Sequence, residues 1–264
     1  MKTWRIKYEL CDNFSNSIKW LTFVLRCFPY MCSSISADGL DCSIIPNPVS
    51  SWGTDSFGNT ILKGRFMQEC IMFQAKVQFC VHSSYALGSS ESRPPYMLGV
   101  FRAFSTMTMP GSKILELAQS LTPDPSADDV TRAETLMQGL FQNFSYVKGS
   151  TSLKFTAEQA LEQGSGVCQD YTHIFLSLCR HFKICARYVA GAIPGEGESH
   201  AWAEICTNGH WTGLDPTHNR RCDDSYVPFA TGRDSMDCSL NRGNFRGQAR
   251  QKQYVGLIMT EAEN

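Results

Sequence analysis

The sequence predicts an α+β protein in which strands come first and helices later, and three of its features say so. Trp4, Ile6, Tyr8 and Leu10 alternate with Arg5, Lys7 and Glu9, and Ile71, Phe73, Ala75, Val77, Phe79 and Val81 repeat the pattern, the period of strands with one buried face. Beyond about residue 109 the apolar spacing changes to three and four, the period of a helix. Further on, Asn208-Gly209 separates two short apolar runs and marks a two-residue type I′ hairpin turn.

The remaining elements follow in order. Residues 19–28 read as another strand, whereas residues 45–64, with Pro46, Pro48, Gly53, Gly58 and Gly64, read as turns and loops. The polar stretch 89–95 reads as a linker or long loop and divides the chain into 1–108 and 109–264. Behind the breakers Pro123 and Pro125, residues Val130, Ala133, Met137, Leu140, Phe141 and Phe144 fit one helix face. Thr156 with Gln159 forms a capping box for a short helix ending near Gly164. A further helix starts at Cys168 and buries Tyr171, Ile174, Phe175, Leu178 and Phe182.

Composition narrows the function. The chain has 264 residues, 42% hydrophobic and 19% charged, which is globular, and its net charge of −1 supplies no electrostatic footprint for nucleic acid or an anionic membrane. The start, MKTWRIKYEL, reads as a first strand and not as an export signal. No run approaches the roughly 20 apolar residues of a membrane helix. Twelve cysteines spread from Cys11 to Cys238 fall below the density of a disulfide scaffold, so a reducing cytoplasmic location is expected. No CxxC pair occurs, and Cys27 with Cys32 lacks a second pair, so neither a metal nor another cofactor is expected.

The chemistry gathers in three short segments. Gly166-Val167-Cys168-Gln169-Asp170, Ser199-His200-Ala201-Trp202 and Leu214-Asp215-Pro216-Thr217 supply a thiol, an imidazole and a carboxylate in that order. A thiol needs a nearby imidazole to become a thiolate, and the imidazole needs a third group to fix its tautomer. At a helix start Cys168 lies among unpaired N–H groups at the positive end of the dipole, which favours the thiolate and offers its own N–H to an oxyanion. If Asn208-Gly209 forms the turn, Trp202 faces Asp215 and His200 faces Thr217, making His200 and Asp215 diagonal neighbours on one face of the hairpin. A register slip of one residue would separate them.

Other residues have plainer readings. Gln163 is weighed as a side-chain oxyanion donor, and Trp202 as a pocket wall that could also touch substrate. His173 points away from Cys168 along the helix and reads as structural, Asp170 as a helix-start stabiliser, and Glu204 as facing solvent. Asp223 and Asp224 lack the oxygen-rich loop of a calcium site.

Residues 144–219, with GVCQDYTHIFLSLCR, CARYVAGAI, SHAWAEI and LDPTHN, resemble the core of the transglutaminase-like superfamily, on the bacterial branch described as candidate cysteine proteases. The resemblance implies that Cys168 is the nucleophile, His200 the base and Asp215 its orienter. It extends to Gly232-Arg233-Asp234 with Asp237, Gly243 and Gly247, where Ser239 replaces a common proline, and to the aromatic-Gly-Asn turn at Asp55-Ser56-Phe57-Gly58-Asn59. It implies a papain-like domain of helices packed on an antiparallel sheet, preceded by a β-sandwich-like domain.

The family includes peptidases, amide-forming acyltransferases and inactive scaffolds. The expected function is therefore a thioester-forming cysteine enzyme acting on peptide or carboxamide bonds, with hydrolysis slightly favoured because water is always at hand. Acyl transfer to an amine acceptor and a non-catalytic peptide-binding module are the alternatives. The expected partner is a peptide, protein or small amide.

Overall fold

The computed structural model describes residues 1–90, 95–150, 152 and 154–262. The predicted first strand is β1 (Lys2–Ile18), followed by β2 (Trp20–Leu25), β3 (Ile35–Ile45), β4 (Val49–Thr54), β5 (Thr60–Phe66) and β6 (Cys70–Ser83). A short β7 (Ser89–Ser90) precedes α1 (Ser112–Ser120) and α2 (Asp129–Asn143). Then come β8 (Ser145–Tyr146), α3 (Ala157–Gln163), β9 (Ser165–Gly166) and α4 (Cys168–His181). The chain continues through β10 (Ala186–Ala192), β11 (Gly195–Gly197), β12 (His200–Thr207), β13 (His210–Asp215), β14 (Arg220–Arg221) and β15 (Val227–Gly232), and returns as β16 (Asn241–Arg246) and β17 (Gln251–Glu261).

Alternation in β1 works as read: Trp4, Ile6, Tyr8 and Leu10 are buried, and their neighbours face outward. One sheet runs β11-β17-β1-β6-β3 and a second β16-β2-β5-β4. Their inner faces meet through aromatic pairs, Phe23 with Phe73 at 5.0 Å and Phe14 with Phe245 at 4.9 Å between ring centroids. Both sheets take a strand from residues 241–261: β17 pairs with β1, and β16 with β2.

Residues 45–64 differ from their reading as loops, since β4 and β5 pair along their length. Gly64 serves this pairing: a Cβ there would lie 2.2 Å from Phe23 Cζ, so its absence lets the Phe23 ring lie flat against the strand. Residues 46–48 and the Asp55–Asn59 turn remain irregular, the turn closed by the Asp55 carboxylate accepting from Phe57 N and Asn59 N. Buried Asn59 then acts as a strand-like clip, donating from Nδ2 to Thr231 O at 2.9 Å and accepting from Thr231 N at 2.8 Å. Of the polar stretch 89–95, Ser89–Ser90 pairs with β13, and residues 91–94 lie outside the described residues.

The helices start where their caps dictate. Asp128 accepts from Val130 N and Thr131 N ahead of α2, and the Thr156/Gln159 capping box opens α3, which ends at Gly164 in the left-handed region. Phe141 departs from the expected face and is 44% exposed, because Leu136 takes the buried position on α2. The third sheet, β14-β13-β12-β10-β15, carries α4 across β10 and β12, with β7 on its β13 edge.

Candidate active site

Cys168 owes its place to two local devices. The parallel β8–β9 pair sets Gly166 beside Tyr146, and Val147 N donates to Gly166 O at 2.9 Å. Asp170 then folds back to accept from Val167 N at 2.8 Å, capping α4 as expected. Gly166 permits this, since a Cβ there would stand 2.6 Å from Asp170 Oδ2 and 2.7 Å from its Cβ. The half-buried Cys168 thus occupies the first turn of α4, where helical N–H groups have no intrahelical acceptor.

His200 and Asp215 reach each other through the hairpin. Asn208 and Gly209 have φ of 52° and 79°, as a type I′ turn requires, and Ala203 faces Leu214 in the expected register. His200 Nε2 lies 2.8 Å from Asp215 Oδ2, which leaves the other ring nitrogen outside that bond, and Cys168 is near enough to act on the charge of this histidine. Burial works against the His200 imidazolium, but the Asp215 and Cys168 hydrogen bonds and charges outweigh it and push the pKa up to about 9. Burial likewise opposes the Asp215 carboxylate, yet donors from His200 and His218 hold it well below the ordinary carboxylate range.

Asp215 has a partner that the sequence reading passed over. His218 Nδ1 lies 2.6 Å from Asp215 Oδ2, its ring centroid is 5.2 Å from that of His200, and its side chain is 46% exposed. Tyr226 OH donates to the same oxygen at 2.7 Å, while Thr217 N and His218 N donate to Oδ1. The signal was present in the Asp-Pro-Thr-His run, whose spacing brings an imidazole back over the carboxylate of a turn. The donor atoms of His200, Asp215 and His218 lie within 4.8 Å of one another, a set chemically suited to a transition ion, although mutual hydrogen bonds already account for its closeness.

The weighed accessory residues lie elsewhere. Gln163 donates from Nε2 to Ser150 O at 2.8 Å and Ser165 O at 3.4 Å, so its amide serves the loop. Trp202 is fully buried and donates to Tyr85 OH at 2.9 Å, which makes it a wall behind His200 with its N–H committed. Glu204 is buried, contrary to its solvent-facing reading, because Arg187 and Tyr85 OH engage its two oxygens. His173 is structural as read: it accepts from Ser235 N at 3.2 Å, and burial, with Arg180 nearby, drives its pKa down to about 3.

A cleft of about 420 Å³ is lined by Gln169 and Ser199, the chain neighbours of Cys168 and His200, together with Tyr188 and Glu198. A thiol at a helix start, an imidazole and a buried carboxylate, with a cleft lined by the chain neighbours of the first two, form an arrangement suited to acyl chemistry.

Residues 116–216 match the model of the transglutaminase-like superfamily. An uncharacterised protein of Mycobacterium leprae is 35% identical over 113 residues, 39% of this chain and 40% of its own length. One of Mycobacterium tuberculosis is 28% identical over 167 residues, 51% of this chain and 53% of its own length. The chain thus spans about half the length, or less, of these relatives. A solved structure described as a candidate cysteine protease, from Cytophaga hutchinsonii, shares the fold with a TM-score of 0.78 at 18% identity, over 100% of this chain and 92% of that one.

Proposed function

We propose that this protein is a cysteine enzyme that forms a thioester from a peptide or carboxamide, with Cys168 as nucleophile, His200 as base and Asp215 as orienter. The observation that carries the reading is His200 bonded to the buried Asp215 carboxylate, with Cys168 near enough to act on its charge. Cys168 Sγ bonds to the carbonyl carbon, the C–N bond breaks, and His200 delivers its proton to the departing amine. The same imidazole then deprotonates the second nucleophile, and the thiolate leaves. Water yields an acid and an amine acceptor yields a new amide; hydrolysis is the favoured outcome because water is always present. The Cys168 N–H is the donor offered to the oxyanion. Peptides, proteins or small amides in a reducing cytoplasm complete the proposal.

Incubation with a peptide and small-amide library is expected to add an acyl mass to Cys168, absent in Cys168→Ala. Binding of peptides by the wild type with no adduct across the library would instead identify a non-catalytic module.

A further inference from the structure

The strap that leads into His200 is held by the N-terminal sheet. β11 pairs with β17, Gly195 opposite Met259 and Gly197 opposite Leu257, although these strands lie far apart in sequence. This pairing fixes the next residue, Glu198, at a junction. On one side is the 420 Å³ cleft, which Gln169 and Ser199, the neighbours of Cys168 and His200, help to line. On the other is a groove of about 540 Å³ across the outer face of the five-stranded sheet, and both cavities include Tyr8, Glu198 and Val255. Sharing these residues, the two cavities adjoin, and their combined extent exceeds what a small amide requires.

The charges along the two cavities are unequal. Among the described residues bordering the cleft, Glu198 is the one with an acidic or basic side chain; the rest are amides, hydroxyls, a thiol and apolar groups. Its side chain is exposed, and no ion pair neutralises it among the described residues. In the groove, Glu9 is engaged by Lys76 at 3.3 Å and Asp41 by Gln78 at 3.2 Å; Lys7, Lys148 and Glu196 also line it, and Lys148 has no ion pair among the described residues. A lone carboxylate on the wall of an otherwise uncharged cleft offers an ion-pair partner to an ammonium or guanidinium group.

We propose that Glu198 is a specificity-determining residue and that the substrate is a polypeptide with a lysine or arginine side chain beside the amide that acylates Cys168. The substrate part rests on the acyl chemistry proposed above. The electrostatic part does not.

Two arms separate them. In the first, Cys168 is modified by a cationic aminoethyl or an anionic sulfonatoethyl methanethiosulfonate; its thiolate attacks the sulfenyl sulfur, forming a mixed disulfide and releasing methanesulfinate. Site-resolved rates are followed by mass spectrometry and normalised to free cysteine. Glu198→Gln is expected to lower the cation-to-anion ratio roughly two- to fivefold at low ionic strength, an effect that shrinks at high salt, and Lys148→Gln to raise it. Glu116→Gln on α1 is the control. An unchanged ratio in Glu198→Gln overturns the proposal.

In the second arm, peptides matched as lysine and acetyl-lysine are compared for acyl transfer to Cys168. About tenfold faster reaction of the lysine peptide in the wild type, falling in Glu198→Gln, is expected. Equal rates for the two peptides would refute cation selection while leaving the acyl chemistry standing. A shifted reagent ratio with no peptide adduct would refute the polypeptide substrate and the proposed function together, leaving only an acidic cleft.

Discussion

Asp215 accepts five hydrogen bonds on two oxygens, from His200, His218, Tyr226 and two backbone N–H groups, while its side chain is entirely buried. Such a carboxylate stays ionised because its donors replace the water it lost. Asp215→Asn is expected to keep the fold and to lower turnover by about 10²- to 10⁴-fold, since an amide can hold His200 in the wrong tautomer. Its stability effect has a pH signature. His200, raised to about 9, contributes stability that is fully present below its unfolded value near 6.5 and is lost as pH rises through 9. Asp215, held low, contributes above about pH 4 and loses that contribution as pH falls through its folded value. The gap in melting temperature between wild type and Asp215→Asn should therefore narrow between about pH 6.5 and 9. A gap constant from pH 5 to 10 would mean that the pair does not titrate as a unit.

At the scale of elements, the start of α4 shows how one missing methyl group sets a site. Gly166→Ala would press against Asp170 Cβ and its carboxylate, so relief requires movement of the α4 start and not merely a rotated side-chain tip. Loss of the Asp170 cap is expected to cost about 1 kcal/mol. Displacement of Cys168 should slow its alkylation more than that of Cys11 on β1. Normal Cys168 alkylation in a folded Gly166→Ala protein would show that the close approach is dispensable.

These elements were legible in the sequence because their information is local: a capping box, a helix period interrupted by glycines, and a turn that fixes register. Edge strands were not. β3 and β4 carry mostly exposed side chains and lack a clean alternation, so only their pairing with β6 and β5 makes them strands. Glu204 was misread for a related reason, since its burial depends on Arg187 from the neighbouring strand. The His218 contact, by contrast, lay within four consecutive residues and was readable.

For the whole molecule, the decisive feature is the return of the chain to its beginning. β1 is central to its sheet only because β17 pairs along it from Trp4 to Phe14, and buried Leu257 and Met259 close that edge of the core. β16 does the same for β2 in the facing sheet. Residues 1–108 alone would leave both strands with unpaired N–H and C=O groups beside exposed apolar surface, a combination that favours association. That fragment is expected to lack a cooperative melt. Joining residues 241–262 to it through a Gly/Ser linker should restore one, because both missing strands then become available at high effective concentration. Circular dichroism melts of the two fragments decide the matter: a cooperative transition in 1–108 alone would place the stability of the sandwich within its own strands. With β17 also holding β11, the same return strand ties the integrity of the first two sheets to the position of Glu198 beside the cleft.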